Sequence, residues 1–302
     1  MFATHDAHVH AWGICKPSRD LPQCKAARTF FDEGRQLAGW RANSLTHLWP
    51  ALVRYVKRER LRRVDYLVGG FRPGDSTTRG TDGLKPVTTF LRGRAAIDLP
   101  AVGVNLVYPL AWHDPSLAAE LRAMQEHAED LTGWDAIALV GDPDWTPGIV
   151  RLGSIASKFE RPLWVHAGED GFLRDDGRTL LETCTIERIS HGIGLLDSPA
   201  LLSDLVSVGV AFDVCPLSSE RLFGLGSASV ALTEAILERG GRVLLGSDNP
   251  AFTGGLNDAL SFVAGHSPLL ACALSHTEVA PASEGDHLPD QFGGGPGATG
   301  GT

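Results

Sequence analysis

Short β-branched or apolar runs recur along the chain at roughly 3–8, 64–68, 101–107, 136–140, 163–166, 187–191, 210–214 and 243–247. Each is short, apolar and bounded by turn residues, as a buried strand should be. Helical spacing fills most of the intervals. In "PSLAAELRAMQEHAEDL", Pro115 stands at a first helical position, and Leu117, Leu121, Met124, Ala128 and Leu131 fall near one face. In "DSPALLSDLVSVG", Asp197 or Ser198 offers the cap, Pro199 follows it and Gly209 is the stop. The segment "SVALTEAILERGG" ends the same way at Gly240. Strand then helix, eight times over, predicts the α/β class and a (β/α)8 TIM barrel, ahead of a doubly wound sheet.

Two regions exceed a minimal barrel. Between the first and second strands, from Trp12 to Arg63, "CKAARTFFDEGRQL" and "LWPALVRYVKRERLRRV" read as extra helices, either a lid over the barrel mouth or an added outer layer. The stretch "FRPGDSTTRGTDGLKP" reads as a long loop. From Ala280 onward there is almost nothing to bury. The expectation is one domain over residues 1–279 and a disordered tail over 280–302.

Composition narrows the class. At 302 residues and 43% hydrophobic, the chain can fill a large core. A net charge of -9 argues against nucleic acid as a partner and leaves a small-molecule substrate. The five cysteines, Cys15, Cys24, Cys184, Cys215 and Cys272, form no CxxC pair and are odd in number, which suits a reducing compartment. No secretory pattern and no bilayer-length apolar run is present, so a cytoplasmic protein with no membrane contact is expected.

The chemistry gathers at the predicted strand ends, which in a barrel meet around one mouth. "THDAHVHAWG" gives His8 and His10, two residues apart and so on one face of a strand. "LWVHAGED" gives His166 and Glu169, "RISHGIG" gives His191, and "VLLGSDNP" gives Asp248 and Asn249. Three imidazoles and a carboxylate, His8, His10, His166 and Asp248, suit a single Zn²⁺ with a water or substrate completing it, although iron or another divalent ion fits the same donors. Such a metal makes hydroxide available near neutral pH. Glu169 is placed either as a proton shuttle or as an acid at a helix N-terminus. His191 is placed to orient the water and relay its proton, or to act as a base. Gly192 and Gly194 permit a tight turn beside it. Cys215 reads as a buried structural thiol, and Ser218 and Ser219 as rim residues or helix caps.

Together "HVH" at 8–10, "HAGE" at 166–169, "SHG" at 190–192, "CPLSS" at 215–219 and "SDNP" at 247–250 resemble the adenosine deaminase family of metal-dependent aminohydrolases, over roughly residues 5–260. The resemblance implies a (β/α)8 barrel with one catalytic zinc on His8, His10, His166 and Asp248. It implies hydrolytic deamination of an aminopurine nucleoside or related aminated heterocycle, with release of ammonia. Hydroxide would attack the amine-bearing ring carbon, Glu169 would protonate the adjacent ring nitrogen, and His191 would assist deprotonation and positioning of the water. Gly141, in "ALVGDPDW", matches the family's purine-contacting glycine.

The chain departs from that pattern at three places. Asn249 stands where the family has a second aspartate, and its amide can donate to a purine N7. Trp12 stands where an adenosine deaminase has an acid that reaches the ribose; an indole can stack on a ring or wall off an apolar group instead. The segment before strand two and the end after Asp248 are short for the family. A metal hydrolase that cleaves an amide or cyclic amide is the first alternative. A non-catalytic barrel that binds a nucleoside or a partner protein is the second.

Overall fold

The computed structural model describes residues 3–10, 45–67, 103–111, 135–140 and 161–275. Eight parallel strands follow one another in chain order around the sheet. They are β1 (His5–His10), β2 (Arg63–Leu67), β3 (Gly103–Ala111), β4 (Ala136–Val140), β5 (Leu163–Ala167), β6 (Arg188–His191), β7 (Ala211–Val214) and β8 (Arg242–Leu245). An isolated parallel bridge, Val9 with Asp248, joins β1 to the segment just beyond β8. The Asp248 amide donates to the His8 carbonyl at 2.7 Å, and the His10 amide donates to the Asp248 carbonyl at 2.8 Å. Gly246 permits this approach, since a Cβ there would lie 2.6 Å from His8 Cβ. All eight predicted strands are present; β1 and β3 run further toward their C-terminal ends than the apolar runs indicated.

Alternation along the strands divides the core in two. In β4, Ile137 and Leu139 join the large outer cluster with Val9, Tyr66, Val165, Ile189 and Phe212. Ala136 and Ala138 instead join Leu67 and Trp164 in a small separate cluster. Many of the other described residues that face the barrel interior are polar: His5, His8, Asp65, His166, Arg188, Ser190 and Asp213 are all buried. A soluble barrel is usually filled by branched apolar side chains, so this interior is given over to hydrogen bonding.

The helix α1 (Leu45–Glu59) covers β1, with Trp49, Leu52, Tyr55 and Val56 buried at helical spacing. It stops where Arg60 enters the left-handed region at φ 60, so the end of "LWPALVRYVKRERLRRV" belongs to β2 rather than to the helix. The remaining described helices are α2 (Asp175–Thr183), α3 (Pro199–Ser207), α4 (Pro216–Phe223), α5 (Gly226–Glu238), α6 (Pro250–Thr253), α7 (Leu256–His266) and α8 (Pro268–Ser275), with a 3-10 turn at Ile193–Asp197. Pro199 takes the first turn of α3 and Ser198 its cap position, but the Ser198 hydroxyl accepts from Arg178 Nη2 at 2.5 Å instead of capping the helix. No described helix is long and apolar enough to cross a membrane. Trp12, Gly141, Cys15, Cys24, the loop at 71–86, the 115–131 helix and the tail at 280–302 lie outside the described residues.

Candidate active site

β1 carries one residue more than its neighbour. His5 and Asp6 pair with Arg63 and Val64, whereas Val9 and His10 pair with Tyr66 and Leu67, so three steps of β1 match two of β2. This bulge resets the phase of the strand. His5 points inward to Asp65, with Nε2 3.1 Å from Oδ2, and His8 points inward to Asp213, although they stand three positions apart. Beyond the bulge the two-residue spacing holds, and His8 Nε2 lies 3.2 Å from His10 Nε2.

Around that pair the structure gathers the other strand-end residues. Asp248 Oδ1 is 3.3 Å from His10 Nε2 and 3.7 Å from His8 Nε2. The His166 ring centre is 4.6 Å from that of His8 and 5.1 Å from that of His191. The nearest ligand atoms of His8, His10 and His166 lie within 4.8 Å of one another, as do those of His8, His191 and Asp248. Ligands about 2.0–2.1 Å from a tetrahedral zinc sit about 3.3–3.4 Å apart, so the measured spacings suit a shared cation.

Protonation states favour the same occupant. Burial pushes His10 down to about 3 despite the nearby Asp248 charge. Burial and the neighbouring imidazoles push His166 well below its ordinary value, and its Nε2 is buried without a hydrogen-bond partner. These two rings are neutral and offer lone pairs. Burial also acts to lower His8, but the hydrogen bond and charge of Asp213, with Asp248, override it and raise the pKa. The field that favours a proton on His8 favours a metal cation in its place. Asp213 accepts from His8 Nδ1 at 2.7 Å, which directs Nε2 into the cluster. Ser190 Oγ donates to the same carboxylate oxygen at 2.9 Å. The donor set and the unpartnered His166 nitrogen therefore fit a metal ion.

Both residues at the tips of β6 and β8 are strained. His191 has φ 68 and Asp248 has φ 63, conformations that only glycine adopts freely. Asp248 is held there by its two backbone bonds to β1 and by Ser218, whose Oγ donates to Oδ2 at 2.5 Å. Its pKa would rise with burial, but His10, His191 and His8 outweigh that and lower it. The preceding residue is also fixed: the Ser247 amide donates to Asp6 Oδ1 at 2.9 Å. Tyr55 of α1 donates to Asp6 Oδ2 at 2.5 Å, and burial raises the Asp6 carboxyl to about 6 against these hydrogen bonds. His191 is followed by Gly192 at φ 74, the tight turn the sequence predicts.

Glu169 Oε1 lies 3.9 Å from His191 Nε2, so the two groups face one volume. Glu169 sits in a turn six residues ahead of α2, which rules out a helix N-terminal acid. His191 itself is lowered to about 4, chiefly by burial. Asn249 is buried, with Oδ1 lacking a partner. Cys215 is buried, its thiol pushed well up by burial and by nearby carboxylates, as a structural cysteine should be. A surface groove of about 460 Å³ by Phe172, Arg174, Arg178 and Ser198 includes none of these residues.

Sequence reasoning placed the strand-end set and missed its supports. Asp213 was visible as a lone acid between Phe212 and Val214 in an apolar strand. Asp6 and Tyr55 carried no signal of their pairing.

The family model described as adenosine deaminase matches residues 59–267. An adenine deaminase of Chlorobium luteolum is 43% identical over 97 residues, 32% of this chain and 28% of that protein. That of Cupriavidus metallidurans is 25% identical over 318 residues, 94% of this chain and 86% of that protein. The stretch of higher identity thus spans less than a third of the Chlorobium relative. Among solved structures, the adenine deaminase of Arthrobacter aurescens superposes with a TM-score of 0.70 at 21% identity, covering 88% of each chain. An amidohydrolase from Burkholderia ambifaria with bound zinc gives 0.65 at 16% identity, covering 91% of this chain and 93% of the other. These structural likenesses establish the α/β TIM-barrel fold.

Proposed function

The chain belongs to the adenosine deaminase family, and we propose that it hydrolyses the exocyclic amine of an aminopurine or related aminated heterocycle, releasing ammonia. The observation that carries this reading is the convergence of His8, His10 and Asp248 at ligand spacing, with His166 beside them and Glu169 reached from His191. The relatives named adenine deaminases support a purine ring as substrate.

In this reading His8, His10, His166 and Asp248 hold one zinc ion, a choice supported by the zinc-bound neighbour. Bound there, zinc would lower the pKa of a water toward neutrality and so supply the nucleophile. Asp213 fixes the His8 tautomer, and Ser218 and the β1 ladder fix Asp248. His191 orients the water and takes part in its deprotonation. Glu169 delivers a proton to the ring nitrogen beside the carbon under attack, which offsets the loss of aromaticity. A second proton transfer turns the amine into ammonia. Asn249 presents its amide to the ring, donating to N7; Gly141, by its match to the family's purine-contacting glycine, and Trp12, by its place in the first-strand motif, are the other proposed substrate-binding residues. Residues 1–279 act as one barrel domain.

The test is a screen of aminated purines, pteridines and pyrimidines for ammonia release by zinc-loaded protein, beside amide and cyclic-amide substrates. Ammonia from an aminopurine is expected. Cleavage of amides alone supports the other hydrolase, and absence of all turnover with zinc bound supports a binding barrel.

A further inference from the structure

Below the histidine cluster lies a second buried polar group. Arg188, at the start of β6, donates from Nη1 to Asp65 Oδ2 at 2.5 Å and to the Ala7 carbonyl at 3.2 Å. Its guanidinium lies over the Trp164 ring, with Cζ 3.7 Å from the ring centre. Asp65 is held from the other side by His5 Nε2 at 3.1 Å. Arg188, Asp65 and Ala7 are all buried.

The Ala7 carbonyl belongs to the β1 bulge, between the last residue in register with the start of β2 and the first in register with its end. A bulge removes one residue from regular pairing with β2; on the other side the Asp248 amide holds the His8 carbonyl, and Arg188 reaches the Ala7 carbonyl. The consequence of the bulge is large. A strand without the extra residue that kept His5 facing Asp65 would turn Ala7 and Val9 inward, and His8 and His10 outward. Facing both His5 and His8 inward requires the extra residue to stay between them. Arg188 bonds to the bulge carbonyl and to the carboxylate that holds His5, from a single nitrogen.

We propose that Arg188 is a positioning residue for the His8–His10 pair, acting through the Ala7 carbonyl and Asp65 to lock the β1 bulge that turns both imidazoles into the barrel. The inference rests on the proposed metal site for its functional meaning. Its structural content, the phase of β1, stands apart from that site. Among the described residues, the hydrogen bonds and ring contact of Arg188 go to Ala7, Asp65 and Trp164 and not to the proposed ligands. Its effect is on where β1 places them.

The test compares Arg188→Met with Leu205→Ala, a core truncation in α3 remote from β1. Two readouts are taken: the zinc dissociation constant by chelator competition, and the crystal structure of the metal-free protein. In R188M the Ala7 carbonyl is expected to move by more than about 0.5 Å, the tolerance of a positioned site. Its zinc affinity is expected to fall about 10–100-fold, the range for loss of a ligand's supporting contact. L205A is expected to hold zinc as the wild type does, even where its melting temperature drops as far. An unmoved bulge in R188M overturns the inference, as does a loss of zinc affinity no greater than that of L205A. If the wild type binds no zinc, the metal-site reading fails, and the bulge position in R188M still decides this one. Should R188M not fold, R188Q is judged by the same two measurements.

Discussion

His8 Nδ1 sits 2.7 Å from Asp213 Oδ2, two buried groups 205 positions apart in the chain. The contact fixes which imidazole nitrogen faces the cluster, and it raises the affinity of that nitrogen for a cation. Asp213→Asn keeps the shape and removes the charge. Its zinc affinity is expected to fall about 10–100-fold, measured by competition with a chromophoric chelator at constant pH. An unchanged dissociation constant would mean that His8 is not a ligand or that its tautomer is set elsewhere.

Glu169 and His191 are assigned to proton transfer, not to metal binding. Glu169→Gln should therefore keep zinc at wild-type stoichiometry by atomic absorption while nearly abolishing turnover. His191→Ala should lower kcat by about 10²–10⁴-fold, the usual weight of a general acid or base. Wild-type turnover in E169Q would remove Glu169 from the reaction. Loss of zinc in E169Q would move it into the ligand set.

The strands and the strand-end histidines were legible because both are local signals. Apolar runs marked the strands, and a spacing of two put His8 and His10 on one face. The bulge was not legible. It is a relation between β1 and its neighbours, and counting by two from His5 puts His8 on the wrong face. The partners of Asp213, Asp65 and Asp6 were hidden for the same reason, since each contact crosses the barrel or joins it to α1. An acid within an apolar strand announces that a partner exists and does not say which one.

Asn249 is proposed to read the purine ring through N7. Asn249→Asp replaces a donor by a carboxylate, which repels the N7 lone pair unless it is protonated. The ranking of aminopurines by kcat/KM should shift, and the wild type should lose about 10-fold or more on a 7-deaza analogue, which has no acceptor at that position. Steady-state kinetics on matched purine and 7-deazapurine pairs check both. If the N249D variant preserves every ratio, Asn249 does not contact the ring.

The last prediction concerns stability and the sign of its pH dependence. Burial acts to raise the Asp65 carboxyl, but the Arg188 charge and the His5 hydrogen bond override it and hold the group well below its ordinary value. An unfolded aspartate titrates near about 3.9. The folded state thus binds fewer protons than the unfolded one, and the ion pair's contribution is present above that pH and lost as pH falls through the depressed folded value. Asp65→Asn leaves Arg188 buried without its counter-charge and should cost about 3–5 kcal/mol. In thermal melts of metal-free protein across acidic pH, the wild type should lose melting temperature progressively below about pH 4. D65N should start lower and fall less steeply over that range, because the group responsible no longer titrates. Parallel curves for the two proteins would show that the Asp65–Arg188 pair contributes nothing to acid stability.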